Sequence, residues 1–328
     1  MKILVTGSSG HLGEALVRTL RQTAHRVTGV DIIASPFTDT VGSITDREVV
    51  RSAMEGVDAV IHTATLHKPH VATHSRQQFV DTNISATLNL LEEAATARID
   101  SFIFTSTTST FGDALSPPPG APAVWITEDV LPAPKNIYGM TKTAAEDLCR
   151  LFHRNHGIPC VVLRTSRFFP EADDDPDKRR SHGDTNLKVN EFLHRRADVA
   201  DVVSAHLRAL ECAPSIGFGK FIISATTPFT RRDLAALRTD VRTVLRDCVP
   251  AFEAVYERLG WDVPEDIDRV YVNDHARKTL GWNPEYDFGN ILDSLRAGQD
   301  PRSPLARVVG SKGYHAETFA DGPYPLGS

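Results

Sequence analysis

The segment "ILVTGSSGHLGEALVRTL" (3–20) constrains the fold more than any other stretch of the chain. Glycine is costly inside regular structure, yet Gly7, Gly10 and Gly13 stand between an apolar run and a helical pattern. Ile3-Leu4-Val5 reads as a buried strand, and Leu12, Leu16, Val17 and Leu20 recur at helical spacing. Glycines on a strand-to-helix turn allow a tight reversal, close approach of the backbone to a phosphate, and tight helix–strand packing. The helix N-terminus adds backbone N–H groups and a favourable dipole for an anion.

The rest of the chain repeats the same alternation. "HRVTGVD" reads as a second strand ending at Asp31; "VDAVIHTAT" (57–65), "SFIFTST" (101–107) and "CVVLRTS" (160–166) are further β-branched runs. Between them "ISATLNLLEEAATA" (84–97) and "TKTAAEDLCRLFHRNHG" (141–157) are helical. This pattern predicts a doubly wound α/β fold, a parallel sheet covered on both faces. Residues 1–166 are the expected nucleotide-binding (Rossmann) domain. Residues 167–328 are expected to form mainly a smaller C-terminal α/β substrate lobe, interleaved with the main sheet. In that part "PEADDDPDKRRSHGDTN" (170–186) reads as a mobile loop, 198–211 and 231–247 as helices, and 220–225 as a strand. The tail from Pro301 has no periodicity; it is expected to wrap the surface or cover a site.

Composition excludes several classes of partner. A net charge of -6 leaves no basic footprint for nucleic acid. No apolar stretch is long enough to span a membrane, and the N-terminus carries no signal-peptide core, so a cytoplasmic protein is expected. Cys149, Cys160, Cys212 and Cys248 are too scattered for a disulfide framework or a zinc site.

Asp31 lies eighteen residues beyond Gly13, where a dinucleotide fold places a carboxylate against the adenosine ribose hydroxyls. No arginine or lysine follows in "DIIASPF" to offset a 2′-phosphate, which favours NAD over NADP. In "NIYGMTK", Tyr138 and Lys142 project from one helix face. A tyrosine titrates near pH ~10, and a neighbouring ammonium would bring that value toward neutrality for proton transfer at an alcohol/ketone pair. "FTSTTSTFGD" supplies hydroxyls at the C-terminal end of a strand, where open α/β sheets bind ligands.

Taken together these segments resemble the extended short-chain dehydrogenase/reductase superfamily, of the NAD-dependent epimerase/dehydratase type. The resemblance runs through residues 1–166 and loosens beyond. Thr6 to Gly13 match its Thr-Gly-x-x-Gly-x-x-Gly fingerprint, and Tyr138 and Lys142 its Tyr-x-x-x-Lys pair. It implies Thr107 as the catalytic hydroxyl that polarises a carbonyl, Tyr138 as the group that exchanges the hydroxyl proton, and Lys142 as its tuner. It implies NAD contacts from Gly7, Ser9, Gly10, His11, Leu12, Gly13 and Asp31, and from Ser43 and Ile44 beside the adenine. Thr63, Ala64, Thr65, Asn83, Tyr138 and Lys142 complete the implied cofactor set.

The activity so implied is hydride transfer at a hydroxyl/carbonyl of a sugar-like small-molecule substrate, neutral or acidic. NAD retained through a cycle gives an epimerase; NAD released gives a dehydrogenase or reductase of a polyol or sugar acid. A catalytically silent NAD-binding sensor is the third reading, against which the intact Tyr138, Lys142 and Thr107 count. Thr108 and Ser109 stand where sugar-nucleotide 4,6-dehydratases carry an Asp-Glu pair, so dehydration is not expected. Arg167 replaces an Asn that contacts the sugar-nucleotide, and the stretch from it to "RRADVADVV" is short, which argues against a nucleotide-sugar. Arg167 would either grip a substrate anion or pair with Asp173, Asp174 or Asp175. His67, in "LHKPH", and Thr108 are further candidate substrate contacts; no ligand spacing there suggests a metal. Apolar residues on more than one face of helices 84–97 and 141–157 predict a homodimer.

Overall fold

The structure, a computed structural model, describes residues 1–173, 175–313 and 319. Seven parallel strands form the main sheet: β1 Lys2–Thr6, β2 Arg26–Asp31, β3 Thr40–Val41, β4 Ala59–His62, β5 Ser101–Thr107, β7 Cys160–Thr165 and β8 Phe218–Ile223. Their order is β3-β2-β1-β4-β5-β7-β8; β6 (Val124–Ile126) and β9 (Arg269–Tyr271) pair separately. The order reverses between β1 and β4, where Thr6 lies beside both Val30 and His62. A crevice at the C-terminal ends of such strands is where a doubly wound sheet takes its ligand.

Alternate residues of each strand serve the two faces. Ile3, Val5, Ile61, Ile103 and Val161 pack under helices His11–Leu20 and Val199–Ile216. Leu4, Val60, Phe102, Phe104 and Val162 pack under helices Ala86–Ala97 and Ile137–His156, which also pack on one another. A separate core around Phe192, Leu237, Leu245, Phe252, Tyr256, Val270 and Phe288 builds the lobe.

The chain passes between the two bodies more than once. Helix Val199–Ile216 and β8 belong to the main sheet, while Val189, Phe192 and the segments from Phe229 build the lobe. Two expectations are corrected. The helix expected over 231–247 is divided into a short turn, Ala236–Arg238, and Val241–Cys248, because Asp240 starts a new helix by accepting from the Thr243 amide at 3.0 Å. The stretch expected as a loop over 170–186 contains helix Pro176–Ser181 and the start of Asp184–Glu191. Asp175 caps the first, with Pro176 at its first position. The tail from Pro301 contains helix Pro304–Val309, capped by Ser303, before Ser311–Gly313 reach the crevice; the rest, Phe319 apart, lies outside the described residues.

Candidate active site

A cleft of roughly 1290 Å³ opens along the C-terminal strand ends. That exceeds what a single drug-sized ligand fills and leaves room for a dinucleotide with a second molecule. Gly7, Gly10 and Gly13 line one end. Gly7 has φ +73°, a conformation that favours glycine. A Cβ on Gly13 would stand 1.9 Å from the Gly7 carbonyl oxygen, so the helix can seat against the turn only without one. Gly10 caps helix His11–Leu20 with no side chain to compete for its first-turn amides. This cradle fits a pyrophosphate.

Asp31, at the end of β2, accepts from the Ser9 amide and the Ile33 amide, each at 2.9 Å. A carboxylate has about four acceptor sites, so its capacity toward ribose hydroxyls remains. Arg18 stacks on cleft-lining Phe37 at 4.4 Å, but its Nε donates to Glu14 at 2.7 Å. Ser9, His11, Leu12, Ser43, Ile44, Thr63, Ala64 and Thr65 all line the cleft, as do His67 and Thr108.

Asn83 and Lys142 do not line it. Asn83 sits buried in a wide turn, Asp81–Ser85, and ties the loop after β4 to the catalytic helix. Its oxygen accepts from Thr65 Oγ1 and the Leu66 amide at 2.9 Å; its Nδ2 donates to Leu66 O at 2.8 Å and Thr141 Oγ1 at 3.0 Å. That position braces the cleft wall.

Helix Ile137–His156 starts where Asn136 accepts from the Gly139 amide at 3.1 Å, which sets Tyr138 one residue into the helix and facing the cleft. Thr107, at the end of β5, lines the cleft beside Tyr138. Burial pushes the phenol up to about 12, against the lowering effect of Thr107. Lys142 lies with its Nζ 4.0 Å from the centre of the Phe104 ring, and burial brings it down to about 7, partly opposed by Cys149 and Glu146. The ammonium effect expected on Tyr138 is therefore not among those that set the phenol here. Desolvation dominates both groups.

One turn beyond Lys142, buried Glu146 accepts from Arg164 Nε and Nη2 at 2.9 and 2.7 Å, Lys220 Nζ at 2.8 Å and Ser106 Oγ at 2.6 Å. These bonds outweigh burial and hold its carboxyl below the usual range. They tie the catalytic helix to β5, β7 and β8. An acid at helical spacing from Lys142, facing an arginine in a strand, was the signal for it.

The side of the cleft toward the lobe carries Arg167 together with residues that sequence reasoning missed. Arg167 lines it, paired with Asp173 and, at 3.4 Å, with Glu191; Asp174 lies outside the described residues. Arg195 donates to Glu191 at 2.7 Å, and Arg269 to Asp268 at 2.6 Å. Burial opposes ionisation of Glu191, but Arg195, Arg167 and Arg196 hold it well below the usual carboxylate range. Lys178 also lines the cleft, and burial and Arg195 lower it. Among the described residues, Arg195 Nε, Arg269 Nε and Ser166 Oγ are buried without a hydrogen-bond partner, and all three residues line the cleft. Buried donors left unpaired are costly, so they mark a place that a polar ligand completes.

Among the described residues, no helix is long and apolar enough to cross a membrane, and no cluster of ligating side chains suits a metal.

The NAD dependent epimerase/dehydratase family matches residues 3–217. The low-salt glycan biosynthesis protein Agl12 of Haloferax volcanii is 26% identical, over 90% of this chain and 97% of its own length. A dTDP-glucose 4,6-dehydratase of Streptomyces niveus is 28% identical (92% and 94%), and a UDP-glucose 4-epimerase of Rhizobium meliloti 26% (89% and 95%). The fold is shared with an Agrobacterium tumefaciens short-chain dehydrogenase/reductase superfamily protein with bound NAD, at a TM-score of 0.64, 24% identity, and 91% and 98% coverage. It is also shared with the UDP-glucuronic acid 4-epimerase of Bacillus cereus, in complex with UDP-glucuronic acid and NAD, at 0.62, 22%, and 90% and 97%. With its glycine cradle and this match over about two thirds of its length, the chain belongs to the NAD dependent epimerase/dehydratase family, an enzyme whose cofactor is NAD.

Proposed function

We propose that this enzyme epimerises a hydroxyl-bearing carbon of a sugar nucleotide. The observation that carries the reading is that Tyr138 and Thr107 line the same cleft as the phosphate cradle. The unpaired donors of Arg195 and Arg269 at the other end suit the diphosphate of such a substrate, since a guanidinium is a fork of fixed donors. The UDP-sugar names of several relatives point the same way. Arg167, held by Asp173 and Glu191, supports the ion pair anticipated for it rather than a substrate grip. The doubt that Arg167 cast on a nucleotide-sugar therefore weakens.

When bound, NAD supplies the hydride acceptor and donor. The cradle and Asp31 orient it, Thr107 donates a hydrogen bond to the reacting oxygen, and Tyr138 takes and returns the hydroxyl proton. A phenol held high gives up its proton reluctantly, so the base role requires additional positive charge within the cleft. Glu146 fixes the helix that carries both Tyr138 and Lys142. Thr108 and Ser109 line the cleft without the acid–base capacity needed to expel water, so dehydration is no part of this reading, despite the dehydratase relative.

Incubation with UDP-glucose and UDP-glucuronic acid tests it. The epimer should form, by NMR, without net NADH absorbance. Accumulating NADH would make the enzyme a dehydrogenase, and loss of water from dTDP-glucose would restore the dehydratase. The enzyme is also proposed to be a homodimer, since Met140 and Leu151 are exposed on helix Ile137–His156. A monomer mass by light scattering would refute that.

A further inference from the structure

The phosphate end of the cleft is closed on one side by residues from far along the chain. Ser311, Lys312 and Gly313 follow helix Pro304–Val309, and Lys312 and Gly313 line the cleft beside the glycine turn. A single carboxylate oxygen, Glu171 Oε1, gathers them: Ser311 Oγ donates to it at 2.7 Å and the Lys312 amide at 3.1 Å. His11 Nε2, on the first residue of the phosphate-binding helix, lies 2.8 Å from the same oxygen. Burial pushes the Glu171 carboxyl up, but the His11 and Ser311 hydrogen bonds prevail and hold it at about 2. It stays ionised across the physiological range.

A second tie runs in parallel. Lys312 Nζ pairs with Glu14, whose other carboxylate oxygen accepts from Arg18 Nε at 2.7 Å. Glu14 is buried in the first turn of the same helix. A carboxylate is favoured there by the helix dipole, but it repels any phosphate brought to the cradle. Lys312 and Arg18 neutralise it. Lys312 thus offsets a misplaced negative charge and forms part of the wall on the phosphate side.

We propose that Ser311–Gly313, clamped to Glu171, His11 and Glu14, is a strap that retains NAD by slowing its release from the phosphate end of the cleft. The strap rests on the proposed epimerase reading for its purpose, because an epimerase must keep its cofactor through oxidation and re-reduction. Glu171 follows β7 and Lys312 follows the last described helix, so the two sides of the clamp come from segments remote in sequence. Lys312, Glu171 and Ser311 are on this account positioning residues for the cofactor.

The test is the release of etheno-NAD from the preformed complex into excess NAD, followed by fluorescence. The full chain is compared with Lys312→Ala and with a chain ending at Gly310. Both variants should release the cofactor about tenfold faster or more, since contacts of this kind act mainly on dissociation. Glu14 keeps Arg18 in both, so neither leaves a buried charge unpaired. The thermal midpoint measured without cofactor is read alongside, because a merely structural strap would lower it and leave release unchanged. Release within about twofold of the full chain in both variants overturns the proposal. So does tighter binding on truncation, which would make the segment an obstruction. Epimer formation with unchanged release overturns the strap and leaves the function standing. Faster release without epimer formation keeps the strap and overturns the function.

Discussion

The two ends of the cleft are built by opposite means. At the cofactor end a local run of chain, Thr6 to Gly13, does most of the work with backbone, and one carboxylate, Asp31, is held by two amides. At the lobe end Arg167, Arg195 and Arg269 come from segments up to about a hundred residues apart and are held by Asp173, Glu191 and Asp268. A backbone cradle is specified by the absence of side chains at fixed spacing. A charged pocket is specified by which distant side chains meet. The first kind of site can therefore be recognised in a single segment, while the second exists only once the lobe has folded against the sheet.

Removing chemistry at the junction of the two ends should have the largest effect. Tyr138→Phe keeps the ring and the cradle but takes away the hydroxyl beside Thr107. Turnover should fall by roughly 10²–10⁴-fold, the usual contribution of a general acid–base group, while NAD affinity stays nearly unchanged. A variant with near-normal turnover would detach the phenol from the reaction. Loss of NAD binding would instead show that the two ends are not separable at this residue.

A crossed pair of variants sharpens the separation. Arg269→Gln should raise KM for a UDP-sugar by about tenfold or more and leave NAD affinity alone. Asp31→Ala should weaken NAD and reduce its preference over NADP, with little change in KM for the sugar. The Arg269 guanidinium has one buried Nε without a partner, whereas the Asp31 oxygens already receive two amides. Measuring both constants in both variants is enough. Effects that spread to the opposite ligand would mean that the ends communicate.

The same contrast explains how much could be read from the chain alone. Alternating strand and helix patterns locate β1, β2, β4, β5 and β7, because each buried strand is a short β-branched run. The glycine spacing locates the cradle, and the pair at 138 and 142 locates the catalytic helix. The spacing puts Lys142 on the helix face of Tyr138, but its surroundings were not legible: Phe104 lies beneath it and Cys149 nearby on the same helix. The resemblance names Asn83 for the cofactor, and its bonds to Leu66 and Thr141 add a bracing of the cleft wall that no sequence pattern shows. Glu191, Arg195 and Arg269 carry no local pattern at all. Their roles follow from the meeting of the helix Asp184–Glu191 region with β9, which no periodicity announces.

Arg167 gives a smaller effect that bears on the substrate end alone. In Arg167→Asn the pairs with Asp173 and Glu191 are broken, so two carboxylates lose a partner. Arg195 and Arg196 still hold Glu191, which limits the cost. A loss of about 1–2 kcal/mol in unfolding free energy is expected, with KM for a UDP-sugar raised less than by Arg269→Gln. A larger KM effect than that of Arg269→Gln would reverse the assignment and make Arg167 the residue that holds substrate.

The smallest effect separates where Lys142 stands in sequence from what surrounds it in space. Its ammonium is brought down to about 7 by burial, against an ordinary value of 10.5. Between those two values the unfolded chain binds a proton that the folded chain does not. Stability then rises with pH across the window, and the contribution is constant below about 7, where both forms are protonated. Lys142→Met keeps most of the apolar stem over Phe104 and removes the titration. Unfolding free energies of the cofactor-free protein and of this variant, measured at several pH values from 7 to 10, isolate the group because other titrations cancel in the difference. The difference should shift in favour of the unsubstituted chain as pH rises, by roughly 1 kcal/mol or more over the window. A difference that does not change with pH would mean that the ammonium is solvated in the folded chain.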